Sequence, residues 1–229
     1  MPTPQSSHQN QPVYTAGTSL AEATGAVILI HGRGATAESI LTLAPELDRP
    51  EFAYLAPQAA RSTWYPYSFL APVEQNEPHL SSALALVETV LDEIGAAGIP
   101  AERTLLLGFS QGACLASEFV ARHPRRYGGL AALSGGLIGR AGDGEAAGGD
   151  SPNHFEYGGS LAGTPVFLGC SDVDPHIPSE RVEKTARILR DLDAKVTMQL
   201  YPGMPHTVNQ DEIDHVRALL DAIAQNDPG

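Results

Sequence analysis

The apolar residues of this chain gather into short unbroken runs, separated by longer stretches in which they recur every three or four positions. Ala26-Val27-Ile28-Leu29-Ile30 is the clearest run. It is too short for a helix and β-branched at two positions, so it predicts a strand buried on both faces. Phe52–Leu55, Arg103–Leu107, Leu130–Leu133, Val166–Leu168 and Val196–Leu200 are read in the same way, and Val13–Thr15 as a short edge strand. Between them, helical spacing spans Ala37–Leu47, Leu80–Ile94, Gln111–Arg122, Ser179–Leu192 and Val208–Ala224. Strands alternating with helices imply right-handed crossovers and a mostly parallel sheet covered on both faces. In such sheets, ligands bind beyond the carboxyl ends of the strands.

Three stretches stand outside the alternation. Residues 1–12 are polar and rich in Pro, Gln and Ser, and read as a disordered or loosely attached tail ahead of a single domain over 13–229. Ala59–Pro78 carries Trp64, Tyr65, Tyr67 and Phe69 among prolines without a period. A long loop on the carboxyl side of a strand suits a pocket wall, which makes Trp64, Tyr65 and Phe69 candidate pocket residues. Gly139–Gly149 is rich in Gly, Ala and acidic residues and reads as a flexible surface loop.

Composition narrows the partners. The formal net charge of −13 disfavours nucleic acid and an anionic membrane surface. No run approaches membrane-spanning length and the N-terminus has no apolar signal core, so a cytoplasmic location without stable membrane insertion is expected. Cys114 and Cys170 each lie in apolar runs and read as small buried hydrophobes rather than a disulfide or zinc pair. A homodimer is compatible with the sequence.

The chemistry gathers at turns. Gly108-Phe109-Ser110-Gln111-Gly112 sits between the run Thr104–Leu107 and a helical pattern, the setting of a G-x-S-x-G turn that exposes a serine at the top of a sheet. A serine hydroxyl needs a base within reach, and the base needs an orienting acid. In an α/β-hydrolase these follow in the order serine, acid, histidine. His206 lies in the Pro202-Gly203-Met204-Pro205 turn after the last strand and is the candidate base. Asp172 and Asp174 both follow an earlier strand, and spacing does not choose between them. Asp172, Asp174 and His176 also have the composition of a metal cluster, but a serine–base pair needs no metal, and neither metal nor cofactor is expected. Acyl transfer also needs two preorganised N–H donors for the developing oxyanion. Gln111, directly after the serine at a helix start, supplies one; Arg33, in His31-Gly32-Arg33-Gly34, supplies the other, with the His31 side chain bracing that loop.

These motifs together resemble the phospholipase/carboxylesterase family of small serine α/β-hydrolases, which includes acyl-protein thioesterases and bacterial carboxylesterases. The resemblance runs from about Ala26 to the final helix. It rests on His31–Gly34, Gly108–Gly112, Asp174-Pro175 followed by Ile177-Pro178, and Gly203–His206. It implies an α/β-hydrolase fold with a mostly parallel sheet, helices on both faces and little or no lid. It further implies Ser110 as nucleophile and His206 as base, with Asp174, the aspartate before proline, preferred as the acid. The oxyanion hole would be formed by Arg33 and Gln111. Arg33 stands where the thioesterase branch commonly has an apolar residue, and Trp64–Phe69 is unlike that branch's acyl-binding loop. A small-molecule ester, of small to medium acyl chain, is therefore the expected substrate. A thioesterase or lysophospholipase is the alternative within the family, and a non-catalytic binding module is the alternative outside it.

Overall fold

The computed structural model describes residues 8–140 and 155–225. The first seven residues of the expected tail, residues 141–149 of the expected glycine-rich loop, and residues 226–229 lie outside this range. Among the described residues, seven strands form one sheet: β1 (Val13–Gly17), β2 (Gly25–Ile30), β3 (Phe52–Pro57), β4 (Thr104–Phe109), β5 (Gly129–Leu133), β6 (Pro165–Ser171) and β7 (Lys195–Tyr201). Their spatial order is β1-β3-β2-β4-β5-β6-β7. Only β1 runs antiparallel, pairing with β3; every other neighbour is parallel. The helices are α1 (Ala37–Leu41), α2 (Val73–Asn76), α3 (His79–Ala96), α4 (Gln111–Arg122), α5 (Ser179–Asp191) and α6 (Gln210–Gln225).

The unbroken apolar runs follow from cover on both faces. Ala26, Ile28 and Ile30 of β2 point into one core with Leu106 of β4 and the inner sides of α3, α4 and α5. Val27 and Leu29 point into the other, with Leu105, Leu107 and the inner sides of α1 and α6. Because side chains alternate along a strand, a strand buried on both sides must be apolar at every position. Among the described residues, no helix is long and apolar enough to cross a membrane.

The sheet reverses its winding beside β2. From β2 the chain moves outward to β3, then returns to place β4 on β2's other side. The carboxyl ends of β2 and β4 therefore flank the switch point, where open α/β sheets leave a crevice for ligands. Both candidate oxyanion residues and the candidate nucleophile lie just beyond these two ends.

Two expectations are corrected here. The helical pattern Ala37–Leu47 is cut short: α1 stops at Leu41 and a single 3₁₀ turn follows at Pro45–Leu47. Pro45 has no N–H to continue the ladder, and its ring would meet the carbonyl four residues back. The second concerns the tail, because His8 is fully buried. Its Nε2 bonds the Trp64 carbonyl at 3.0 Å, its Nδ1 accepts from the Ala60 N–H at 3.0 Å, and its own backbone N–H donates to Ser82 Oγ at 3.1 Å. The segment entering β1 is thus a strap across the 59–69 loop and the start of α3.

Burial holds the His8 imidazole below the usual histidine value, and the neighbouring His79 and His31 push the same way against the bond to Trp64. Below about pH 6.5 the unfolded chain therefore binds protons that folded His8 does not. Its contribution to stability is full above that pH and is lost as pH falls through the folded-state value. His8→Gln should cost about 1 kcal/mol at pH 7.5 in urea unfolding. The gap from the wild type should then narrow towards pH 5; a gap constant across this range would contradict the role given to His8.

Candidate active site

The strand-to-helix turn after β4 is as tight as the backbone permits. A Cβ on Gly108 would lie 2.3 Å from the Gly112 carbonyl oxygen, and one on Gly112 would lie 2.0 Å from the Ile30 carbonyl oxygen. Glycine at both positions lets α4 pack directly on the ends of β4 and β2. Ser110 between them takes φ 55°, ψ −119°, a conformation that L-residues seldom adopt. The turn is held by the Ser110 N–H on the Leu133 carbonyl (2.9 Å) and the Cys114 N–H on the Ser110 carbonyl (3.0 Å).

The three sequence-predicted polar residues meet above this turn. His206 Nε2 lies 2.9 Å from Ser110 Oγ, and His206 Nδ1 lies 2.6 Å from Asp174 Oδ2. The Asp174 side chain is wholly buried. Burial alone would push its carboxyl up, but the bond from His206 and the backbone N–H groups of His176 (2.8 Å) and Ile177 (3.0 Å) outweigh it and hold the group below the usual aspartate value. An ionised Asp174 fixes the His206 tautomer, with Nδ1 protonated and Nε2 free to accept from the serine.

Geometry separates the two aspartates that spacing leaves open, and Asp174 is the one that bonds His206. Asp172 does not reach the histidine; its Oδ1 accepts the Gly203 N–H at 2.8 Å and ties down the turn that carries His206. The other end of that turn is fixed by a reciprocal cap. Asn209 Oδ1 accepts from the Glu212 N–H, and Glu212 Oε2 from the Asn209 N–H, both at 2.9 Å. Asn209-x-x-Glu212 is a capping pattern legible in the sequence.

The N–H groups of Arg33 and Gln111 have no acceptor among the described residues. Both border the same cavity of about 470 Å³ as Ser110 and His206. Gln111 opens α4, so the positive end of that helix adds to its N–H. Tyr65 and Phe69 line the cavity with Phe109, Cys114 and Ile177, while Trp64 does not. Trp64 is buried beneath the loop. Its Nε1–H donates to the His31 carbonyl at 2.8 Å, and its ring lies 4.9 Å from His31 and 5.6 Å from His8. Its role is to seat the loop rather than to meet a ligand.

The loop is gripped from every side. His31 Nδ1 bonds the Gly32 carbonyl and its Nε2 accepts from the Ala59 N–H, the bracing expected of it. The Gln111 side chain accepts from the Trp64 N–H (3.0 Å) and donates to the Tyr65 carbonyl (2.8 Å). Asn76 of α2 accepts from the Tyr67 N–H and donates to the Ser68 carbonyl. The Arg33 guanidinium donates to the carbonyls of Tyr65, Pro66 and Tyr67 at 3.0, 3.0 and 2.7 Å. Apart from the bonds of Asn76 and the His31–Gly32 bond, these contacts join residues tens of positions apart, which leaves no periodic signal in the chain.

His176 enters the sequence reading only as a member of a disfavoured metal cluster with Asp172 and Asp174. It lies at the cavity mouth, edge-on to His206 with ring centroids 4.9 Å apart. Cys114 and Cys170 are buried free thiols, and burial pushes both up to about 12, so neither is a nucleophile. Among the described residues, no group of three His, Cys, Asp or Glu side chains is arranged to hold a metal ion.

The model of the phospholipase/carboxylesterase family matches residues 17–224, nearly the whole described chain. The chain belongs to this family. A phospholipase/carboxylesterase from Dyadobacter fermentans of known crystal structure is 47% identical, with a TM-score of 0.83 over 92% of this chain and 96% of that one. A Bacillus cereus carboxylesterase shares the fold, with a TM-score of 0.67 at 18% identity over 93% of this chain and 95% of that one. Acyl-protein thioesterase 1 of Gibberella zeae is 31% identical over 123 residues, 54% of this chain and 49% of the relative. That of Saccharomyces cerevisiae is 29% identical over 143 residues, 62% and 58% of the two chains. The chain thus spans about half the length of the curated relatives it matches.

The two aspartates predict different losses. Asp174→Asn should lower kcat about 10³- to 10⁴-fold, because the histidine loses its orienting anion. Asp172→Asn, whose amide oxygen still accepts from the Gly203 N–H, should cost about tenfold or less and leave stability nearly unchanged. Steady-state turnover of a p-nitrophenyl ester measures both, and the reverse ranking would reassign the acid.

Proposed function

We propose that this protein is a serine carboxylesterase that hydrolyses esters of small to medium acyl chains through an acyl-enzyme. The observation that carries the reading is the continuous hydrogen-bonded line Asp174–His206–Ser110, at 2.6 and 2.9 Å, opening into a cavity. His206 takes the Ser110 proton as Oγ attacks the ester carbonyl. The carbonyl oxygen, now negative, is received by the N–H groups of Arg33 and Gln111, which are fixed in place before substrate arrives. His206 then protonates the departing alcohol. Water enters, gives its proton to the same histidine, and releases the acid from Ser110.

Family membership supports ester hydrolysis in general. The acyl-protein thioesterases among the relatives make a thioester substrate the second reading. The aromatic side chains of Tyr65 and Phe69 line the cavity, and Arg33 ties down the Tyr65–Tyr67 backbone beside them, which supports a preference for compact acyl groups over a long lipid chain.

Ser110→Ala should lower hydrolysis of p-nitrophenyl butyrate by roughly 10⁴-fold or more while leaving the melting temperature near that of the wild type. Retained turnover would remove Ser110 from the mechanism. Across a series of C2 to C16 esters and matched thioesters, kcat/KM should peak at short oxygen esters. A maximum at long-chain thioesters would favour the second reading.

A further inference from the structure

The cavity wall has an unusual charge for this protein. The chain carries a net charge of −13, yet among the described residues no carboxylate lines the cavity, while Arg33 does, its guanidinium 5.9 Å from the ring of Tyr65 in the cavity wall. Among the described residues, no Asp or Glu oxygen lies within 4 Å of the Arg33 guanidinium; its protein partners are the three neutral loop carbonyls and the neutral face of the Tyr65 ring. Three of its five N–H groups are used in these bonds, so two remain, and the side chain is exposed. Neutral partners leave the positive charge uncompensated, and the three-way clamp removes the entropy that an arginine usually loses on binding an anion. The exposed His176 and the start of α4 border the same space, offering a ring nitrogen and a helix N-terminus of ten or more residues.

The geometry points to an ester substrate that bears a carboxylate in addition to its ester group, the carboxylate being received by the Arg33 side chain. One residue then holds both ends of a compact substrate, its backbone N–H facing the ester carbonyl oxygen and its guanidinium facing the second anion. The inference rests on the hydrolase reading above and narrows its substrate class. The bond broken is the ordinary ester bond: water and the ester give an alcohol and an acid, with no further reactant.

Matched pairs of esters test it: monoethyl glutarate against ethyl valerate, with the charge on the acyl side, and 4-acetoxybenzoate against methyl 4-acetoxybenzoate, with the charge on the leaving group. In the wild type, kcat/KM for the anionic member of at least one pair should exceed that of the neutral member, and which pair responds shows the side that Arg33 reads. That ratio should shrink as salt rises from 20 to 500 mM, as a partly exposed charge pair requires. In Arg33→Gln the ratio should fall about three- to tenfold, and Arg33→Lys, which keeps the charge but not the three-carbonyl clamp, should fall between Arg33→Gln and the wild type. Taking the ratio within each variant cancels any loss common to both esters from loosening the loop. If the neutral esters turn over and neither anionic partner is preferred, or the preference survives Arg33→Gln, this inference is overturned while the hydrolase stands. If no ester of either kind is hydrolysed, the hydrolase reading itself falls, and the inference with it.

Discussion

The site depends on one close approach, that of Gly112 against the carbonyl of Ile30 at the end of β2. No side chain fits there, since even a Cβ would come within 2.0 Å of that oxygen. The contact brings the first turn of α4 onto the loop that follows β2, and so places the N–H groups of Gln111 and Arg33 around one space. It also obliges the turn between β4 and α4 to be sharp enough that Ser110 takes a positive φ and stands clear of the sheet. Strain of this kind costs on the order of 1–3 kcal/mol and persists only where the surroundings over-determine it. Here the strands on either side of β4, wholly apolar and covered on both faces, supply that rigidity.

A second layer of structure converts this framework into a shaped cavity. The aromatic loop has no regular ladder of its own, yet it is seated by Trp64 on His31, by the side chains of Gln111 and Asn76, by His8 from the N-terminal strap, and by Arg33. Two of these clamps, Gln111 and Arg33, belong to residues whose backbone N–H groups are the proposed oxyanion donors. Wall and oxyanion donors are therefore mechanically linked, so a change in the loop is expected to be felt in turnover as well as in substrate choice.

Much of this was legible in the chain. The strands showed as unbroken apolar runs because both faces are buried, and α4 spans the Gln111–Arg122 that helical spacing marks after the serine turn. Ser110 and His206 were marked by tight glycine and proline turns at strand ends. Other parts were not legible, for physical reasons. Asp172 and Asp174 differ only in which way the turn directs them. Trp64 was expected in the pocket, but its ring nitrogen finds an acceptor beneath the loop instead. His8 looked like part of a polar tail because its partners, Ala60, Trp64 and Ser82, lie more than 50 residues away.

The central claim is that Ser110 is an activated nucleophile because His206, oriented by Asp174, takes its proton. It is tested most directly by a fluorophosphonate probe on the native protein, with the modified peptide located by mass spectrometry. The account predicts a single adduct at Ser110, formed rapidly in the wild type and slowed by orders of magnitude in His206→Ala. An adduct on another residue, no adduct at all, or equal labelling of Ser110 in His206→Ala would contradict it.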